Sequence, residues 1–531
     1  MFDALAALLA AIAHQRAGRL PAAEALLRQV LEHDPEEPSA LFLLGSTQLA
    51  QGCAAEAAAT LARAVEVRPH HREQRQALAR ALIAAKRPAE ALAALAPLAA
   101  DRKLAEAQFL RGAALNALAR PGEAAVALAD AVAAAPGHAE AHLALGNALD
   151  DLGETDRAEA QMRQAIALDP GLAAAHASLG FLLTGRGALE AAVAACAEAI
   201  ALQPDFAPAH WNQGIAYLLG GRMAEGWAQY EWRKQRFPAA FRTLPGPQWD
   251  GSPLAGRTLL VVAEQGFGDT IQLCRYLPAL AKDGAVRLEC PPALAPLLRG
   301  LPGVTLQQPG APAAHDAWID QMSLPRLLGA TLDTIPCRGG YLQPDPARAA
   351  AWAAGLPTGL RVGLAWAGNP AHSNDRRRSV PPEALAPLLA AAPGAFVSLQ
   401  VGPSAAAAQR LGLADWSADL ADFGETAALV SKLDLVIAVD TAVAHLGGAL
   451  GVPTWVMLPH APDWRWLLHR DDSPWYAAMR LFRQGRPGDW AGVVARVAAA
   501  LRLVAGGYSI AMPPLTCSVA PVTQAASADA R

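Results

Sequence analysis

Over the first 240 positions, apolar and small residues recur with the 3.6-residue period of amphipathic helices, interrupted at regular intervals by glycine and proline. Prolines fall at Pro35, Pro69, Pro136, Pro170, Pro204 and Pro238, in steps of 34, 67, 34, 34 and 34 residues, the long step being two units less one residue. One row of glycines (Gly45, Gly112, Gly146, Gly180, Gly214) and a second (Gly18, Gly52, Gly153, Gly187, Gly221) keep the same spacing. The pattern predicts a unit of two helices. First-row glycines fall where the helices of a pair pack closely, and second-row glycines turn the chain between them. Proline opens the link to the next pair. Ala23, Ala57, Ala91, Ala124, Ala158 and Ala192 supply the small partner on the second helix. Seven units follow, at 4–37, 38–71, 72–104, 105–138, 139–172, 173–206 and 207–240. The third lacks both markers and is one residue short.

After Pro245 the period changes. TLLVVA (258–263), VRLEC (286–290) and HDAWIDQ (315–321) have strand character, as do RVGLAWAG (361–368), AFVSLQVG (395–402), LDLVIAVD (433–440) and TWVMLP (454–459). Helical segments are expected from the first strand to about 281, and at 323–329, 382–391, 404–411, 425–432 and 441–450. Strand–helix alternation predicts parallel sheets covered by helices on both faces. A Pro- and Ala-rich link at about 341–358 divides the strands into two groups, at 245–350 and 359–505. This gives two doubly wound subdomains facing a cleft. The polar tail 510–531 has the composition of a disordered segment.

The totals narrow the function. The chain has 531 residues, 53% hydrophobic and 17% charged, which suffices for several buried cores. Its 44 basic and 48 acidic side chains give a net charge of −4 and argue against a nucleic-acid or anionic-membrane coat. Cys53, Cys196, Cys274, Cys290, Cys337 and Cys517 are scattered without a CxxC pair, the usage of reduced thiols in a cytoplasmic protein. The apolar start MFDALAALLAAIAHQRAG has an acid, Asp3, and no basic leader, and it runs straight into the first repeat. It is read as a helix of the array, not a signal peptide. No membrane span is expected.

Three stretches at strand ends carry candidate chemistry. In EQGFGD (264–269), Gly266 and Gly268 permit a sharp turn and a close approach, and Asp269 then starts a helix. Asp269 is either an N-cap alone or a group that meets a ligand. Glu264 and Gln265 border the same turn. In WAGNPAHSNDRRRSVP (366–381), Gly368 and Asn369 leave a strand and His372, Asp375, Arg376, Arg377, Arg378 and Ser379 follow. Guanidinium groups there suit a phosphate, and a solvated basic loop is the alternative. In VDTAVAHLGGALGVP (439–453), Asp440 ends a strand and Thr441 opens a helix whose free N–H groups favour an anion. His445 lies one turn on. Gln400 falls at a strand end near these loops. The aromatic run 463–476, with Asp463, Trp464, Trp466, Asp471, Asp472, Trp475 and Tyr476, either closes over a ligand or packs the C-terminal helix back onto the first subdomain.

The repeat pattern resembles the tetratricopeptide repeat family, whose concave surface implies a groove for a protein or peptide partner; a spacer or dimerisation surface is the alternative. The GFGD turn, the WAGN…R…S loop and the DTAVAH helix, in that order and followed by LPHAPDWRWLLHRDDSPWYAAMRLFRQ (458–484), resemble glycosyltransferases of the bacterial heptosyltransferase type (family 9-like). The likeness is greatest to bacterial proteins that join such a domain to tetratricopeptide repeats, and it extends to about residue 505. It is shared in architecture alone with the O-linked N-acetylglucosamine transferases. The resemblance implies an α-solenoid followed by the two-Rossmann GT-B fold. It further implies a nucleotide-sugar co-substrate, no other cofactor, no metal, and transfer to an acceptor hydroxyl. By position, Asp269 matches the general base. Asp440, Thr441, Ala442 (through its backbone) and His445 match the residues that hold the donor diphosphate, and Arg376 and Arg378 those that neutralise it. Gly368, Asn369 and Gln400 lie on the donor side, and Gln265, Gly266 and Gly268 on the acceptor side. The family commonly places a lysine near the phosphates, whereas this loop carries only arginine. The competing expectation is a non-catalytic interaction scaffold with a degenerate transferase-like domain.

Overall fold

The computed structural model describes residues 3–507 except 313, 337, 338 and 373; the tail 510–531, Cys337 and Cys517 lie outside the described residues. By packing, the chain divides into two units, Met1–Leu183 with Ala191–Ala209, and Thr184–Glu190 with His210–Arg531.

The first unit is built of helix pairs, beginning Ala4–Arg16 with Leu20–His33 and Pro38–Ala50 with Ala54–Val67. Later pairs include Ala105–Ala117 with Pro121–Ala134 and Ala139–Asp151 with Thr155–Leu168. Both glycine rows do what their spacing predicts. A Cβ on Gly146 would lie 2.9 Å from Met162 Cγ and 3.1 Å from the Ala158 carbonyl, so this glycine sets how closely the pair approaches. Gly18, Gly52 and Gly153 have φ of 70°, 83° and 81°, and a Cβ at any of them would meet nothing within 4 Å, so they serve the turn alone. Where that row lapses, Lys86 (φ 60°) and Ala119 (φ 55°) hold the same left-handed conformation. The unmarked third unit keeps its first helix, Arg72–Ala84, but its second, Pro88–Leu95, is short and passes into a 3-10 turn at Ala96–Leu98. Ala23, Ala57, Ala91, Ala124, Ala158 and Ala192 are fully buried.

In the second unit, the last repeat helix, Met223–Tyr230, and its extension Arg233–Arg236 pack with two sheets. Leu218, Met223, Trp227 and Tyr230 belong to the same hydrophobic core as Leu259, Ile271, Val436 and Leu446. The first sheet contains β1 (Thr258–Val262), β2 (Ala285–Glu289), β3 (Val304–Gln307) and β4 (Ala317–Asp320), in the order β3-β2-β1-β4. The second contains β5 (Val362–Ala365), β6 (Phe396–Ser398), β7 (Leu435–Val439), β8 (Thr454–Leu458) and β9 (Met479–Arg483), in the order β6-β5-β7-β8-β9. Every pairing between these strands is parallel. Two strands were not expected. β3 is a short, partly exposed edge strand without a long apolar run, and β9 is embedded in the charged and aromatic segment that follows residue 458. The expected link at 341–358 contains the helix Pro346–Ala353, capped by Asp345, whose carboxylate accepts from the Ala347 and Arg348 N–H groups at 2.8 and 3.1 Å. Trp352 Nε1 donates to Glu425 at 2.9 Å, so this helix docks on Phe423–Val430.

Strand order reverses at β1 in the first sheet and between β5 and β7 in the second. Ligand crevices of open parallel sheets form at such points, beyond the carboxyl ends of the strands. The three stretches singled out by sequence follow β1, β5 and β7.

Candidate functional site

The turn after β1 is made differently from the expectation. Its left-handed residue is Gln265, with φ 64°, and not a glycine. Gln265 is fixed there by Tyr230 of the last repeat, with its Nε2 donating to the Tyr230 hydroxyl at 2.9 Å. Gly266 has an ordinary φ of −91° and caps the helix Phe267–Leu273. Gly268 provides the close approach, but the neighbour is protein: a Cβ there would sit 2.7 Å from His445 Cδ2 and 3.5 Å from Ala442 Cα. The glycine lets the first turn of this helix rest on the helix Ala442–Leu450 of the second sheet.

Asp269 occupies the third position of its helix. Oδ2 accepts from the Gly266 N–H at 2.7 Å, and Oδ1 pairs with Arg465 Nη2. Burial raises its carboxyl above the usual range, against the opposing pull of Arg465. Arg465 is itself buried. Nε donates to Gln272 Oε1 at 2.8 Å, Nη1 donates to Asp463 at 2.7 Å, and the guanidinium lies 4.2 Å over the Trp464 ring. Sequence reasoning missed Arg465. It stands alone between two tryptophans, and only its position at the start of the run after β8 marked it.

On the second sheet, Asp440 follows β7. Burial, and then Asp463, push its carboxyl up to about 6, while Arg378 and Arg465 oppose the shift. Thr441 is the N-cap of the nine-residue helix Ala442–Leu450 with no side-chain capping bond, and its Oγ1 is buried with no hydrogen-bond partner among the described residues. This combines a helix N-terminus with an unspent hydroxyl, a pairing suited to an anionic oxygen. His445 lies one turn on, as its spacing predicts, with its ring turned into protein. It is 4% exposed, its Nδ1 lies 2.8 Å from the Tyr476 hydroxyl, and its ring stacks on Trp466 at 5.3 Å. Burial, with Arg465 and Arg275 nearby, lowers its pKa well below the ordinary value and so favours the neutral ring.

The loop after β5 is pinned at both ends. The Gly368 N–H donates to Ser379 Oγ at 3.0 Å, Ser379 Oγ to Asp375 at 3.1 Å, and the Val380 N–H to the Trp366 carbonyl at 2.8 Å. A Cβ on Gly368 would press on the Asp375 carboxylate and the Arg378 guanidinium. Arg378 is half-buried, bonded to Asp375 at 3.3 Å, and acts electrostatically on both Asp440 and His372, whereas Arg376 is exposed. Asn369 accepts from the Ala371 N–H at 3.0 Å in a local turn. Gln400 serves the backbone: Oε1 accepts from the Trp366 and Ala367 N–H groups at 3.1 and 3.0 Å, and Nε2 donates to the Ala367 and Val401 carbonyls. Its amide is fully used in shaping this loop.

The aromatic run packs. Trp464, Trp466, Trp475 and Tyr476 are fully buried. Trp464 meets Trp227 edge-on at 5.1 Å and Tyr230 at 6.2 Å. The C-terminal helix Trp490–Ala505 is not carried onto the first sheet, as one expectation had it. It covers the second, with Val493, Val494 and Val497 against Val362, Ile437 and Met457. The tie to the first sheet comes from the run itself. Arg275 donates to the Trp475 carbonyl at 2.6 Å and to the Tyr341 hydroxyl at 3.0 Å, beneath the Tyr476 ring. Among the described residues, no group of three or more His, Cys, Asp or Glu is placed to hold a metal, and no helix is long and apolar enough to cross a membrane.

Two tetratricopeptide repeat family models match, over residues 8–71 and 139–172. Protein FlbA of Caulobacter vibrioides is 34% identical over 319 residues, 53% of this chain and 53% of FlbA, so the match spans about half the length of that relative. Among solved structures, YrrB, described as a tetratricopeptide protein with an unusual peptide-binding site, is 22% identical over 33% of this chain and 90% of its own, with a TM-score of 0.29. The type IV pilus biogenesis factor PilW is 20% identical over 38% of this chain and 94% of its own, with a TM-score of 0.35. Tetratricopeptide repeats commonly bind peptides or proteins. The family models and the 34-residue helix pairs together show that the first half of the chain is a tetratricopeptide repeat solenoid, followed by a region of two parallel sheets.

Proposed function

We propose that the two-sheet region is a GT-B glycosyltransferase of the heptosyltransferase type, acting in the cytoplasm, and that the repeats recruit a protein acceptor or partner. One observation carries the reading. An acid at the reversal point of the first sheet, Asp269, pairs with Arg465, and its own helix packs, at Gly268, against Ala442 at the start of the helix that follows the reversal point of the second.

In the proposed reaction the acceptor oxygen attacks the anomeric carbon of a nucleotide sugar. The bond from that carbon to the diphosphate oxygen breaks, and the electron pair leaves with the diphosphate. The hydroxyl proton passes to Asp269. Negative charge growing on the diphosphate meets the N-terminus of Ala442–Leu450, the Thr441 hydroxyl and Arg378, groups already fixed in place. Asp269 works in its ionised form, and Arg465 favours that form.

The competing reading is a non-catalytic scaffold. It draws on the fact that both oxygens of Asp269 are already engaged by protein groups. Release of nucleoside diphosphate from UDP-, GDP-, ADP- and dTDP-sugars, with water or added protein as acceptor, separates the two. A transferase releases it from one donor class, about 10²-fold more slowly as Asp269→Asn. No release from any donor favours the scaffold.

A further inference from the structure

The run that supplies Arg465 joins three parts of the second unit at one point. Arg465 reaches Asp269 and Gln272 on the first-sheet helix, and Asp463 on its own loop. It lies on Trp464, and Trp464 is backed by Trp227 and Tyr230 of the last repeat helix. Tyr230 also holds Gln265, whose left-handed backbone directs the chain into the Asp269 turn. The Asp269 carboxylate is thus held on one side by an arginine with three named partners, and on the other by a turn tied to the same repeat.

Building on the transferase reading, we propose that Arg465 is the positioning residue for Asp269, and that the last repeat, through Trp227 and Tyr230, is the wall that holds Arg465 and the Asp269 turn in place. The repeat at 207–240 is then part of the reaction centre as well as of the repeat series. A guanidinium is suited to this task because its donors are fixed in one plane and face several acceptors at once; a lysine supplies the charge without the fork.

Two consequences separate positioning from mere packing. Removal of Arg465 leaves the half-buried Asp269 carboxyl without its cation, so the acid must ionise at higher pH. Tyr230→Phe removes only the hydroxyl that holds Gln265, so it misaligns Asp269 while leaving that cation in place.

The test is the titration of Asp269 itself, in the full chain labelled with carboxyl-13C aspartate and assigned by loss of its signal in Asp269→Asn. Arg465→Met is expected to move the Asp269 midpoint upward by at least one pH unit. Arg465→Lys is expected to restore part of the shift, and Tyr230→Phe to leave it near wild type. On the donor that wild type turns over, Arg465→Met and Tyr230→Phe are expected to lower kcat, by up to about 10²-fold, with little change in donor affinity. Should Arg465→Met fail to fold, the Arg465→Lys titration decides alone, with a shift in the same direction expected. An Asp269 midpoint indifferent to both Arg465 variants overturns the proposal, as does full kcat in Tyr230→Phe and Arg465→Lys. A wild-type protein that binds no nucleotide sugar overturns the transferase reading instead, and calorimetry reports that separately from the titration.

Discussion

The repeat array and the two-sheet region differ in how deeply they bury the arginines of their ion pairs. In the array, Glu24–Arg28, Arg120–Glu123 and Glu159–Arg163 are pairs three or four residues apart on one helix, with arginines about half exposed. Water screens such pairs, and each contributes little. In the two-sheet region two arginines, Arg233 and Arg465, are buried and pair with carboxylates of distant segments. Arg233, 1% exposed, bonds Glu264 at 2.7 Å, Glu231 at 2.9 Å and Ser323 at 3.0 Å, and the neighbouring Lys234 reaches Asp320 at 3.0 Å. Arg465 and Asp269 are 196 residues apart. A solenoid needs only that each helix pair match the next, which small apolar residues achieve. Buried ion pairs are costly to desolvate, and here they occur where segments far apart in sequence must be held at one geometry.

This contrast can be probed separately in each region because all 13 tryptophans lie at position 211 or later, inside the second unit. Tryptophan fluorescence follows that unit, and far-ultraviolet dichroism is dominated by the helical array. The largest effect is expected from Arg233→Met, which leaves Glu264 buried without its cation and Glu231 with Lys234 alone. The fluorescence-detected transition in urea should lose about 3–5 kcal/mol. Next, Gly268→Ala forces a methyl against His445 and should cost about 1–3 kcal/mol. In a His445→Ala background the cost should shrink, and a double-mutant cycle reads that coupling.

Asp440→Asn tests the pH dependence. The Asp440 carboxyl is raised from 3.8 to about 6 in the folded protein, so the stability it contributes is present below pH 3.8 and is lost as pH rises through about 6. The variant should therefore match wild type near pH 4, gain on it between about pH 4 and 6, and keep the gain at pH 7. Equal stabilities at both ends would remove the buried, like-charge environment assigned to Asp440. The smallest effect is expected from Arg120→Ala on the array, less than about 0.5 kcal/mol in the dichroism-detected transition.

The same contrast governs what could be read from the chain. Repetition exposes a role by showing the same position several times. Gly45, Gly112, Gly146 and Gly180 share a spacing because they share a close contact, and Gly18, Gly52 and Gly153 share another because they share a turn. The parallel sheets and the three strand-end stretches were legible from the change of period and from where the apolar runs stop. Contacts made once, between segments far apart, were not. Nothing local shows that the space at Gly268 belongs to His445, that Gln265 takes the left-handed turn, or that Gln400 spends its amide on the β5 loop. Arg465 was hidden for the same reason: its partners Asp269 and Gln272 lie almost 200 residues earlier.

If the two-sheet region is a transferase, the Asp440–Thr441 helix start holds a sugar donor while Asp269 acts on the acceptor. Calorimetry of the full chain with UDP-, GDP-, ADP- and dTDP-sugars separates those two roles, on wild type, Thr441→Ala and Asp269→Asn. One nucleotide class is expected to bind, Thr441→Ala to weaken it by about three- to tenfold through loss of one hydrogen bond, and Asp269→Asn to leave it unchanged. Absence of binding at millimolar donor, or binding indifferent to Thr441→Ala, would contradict this assignment.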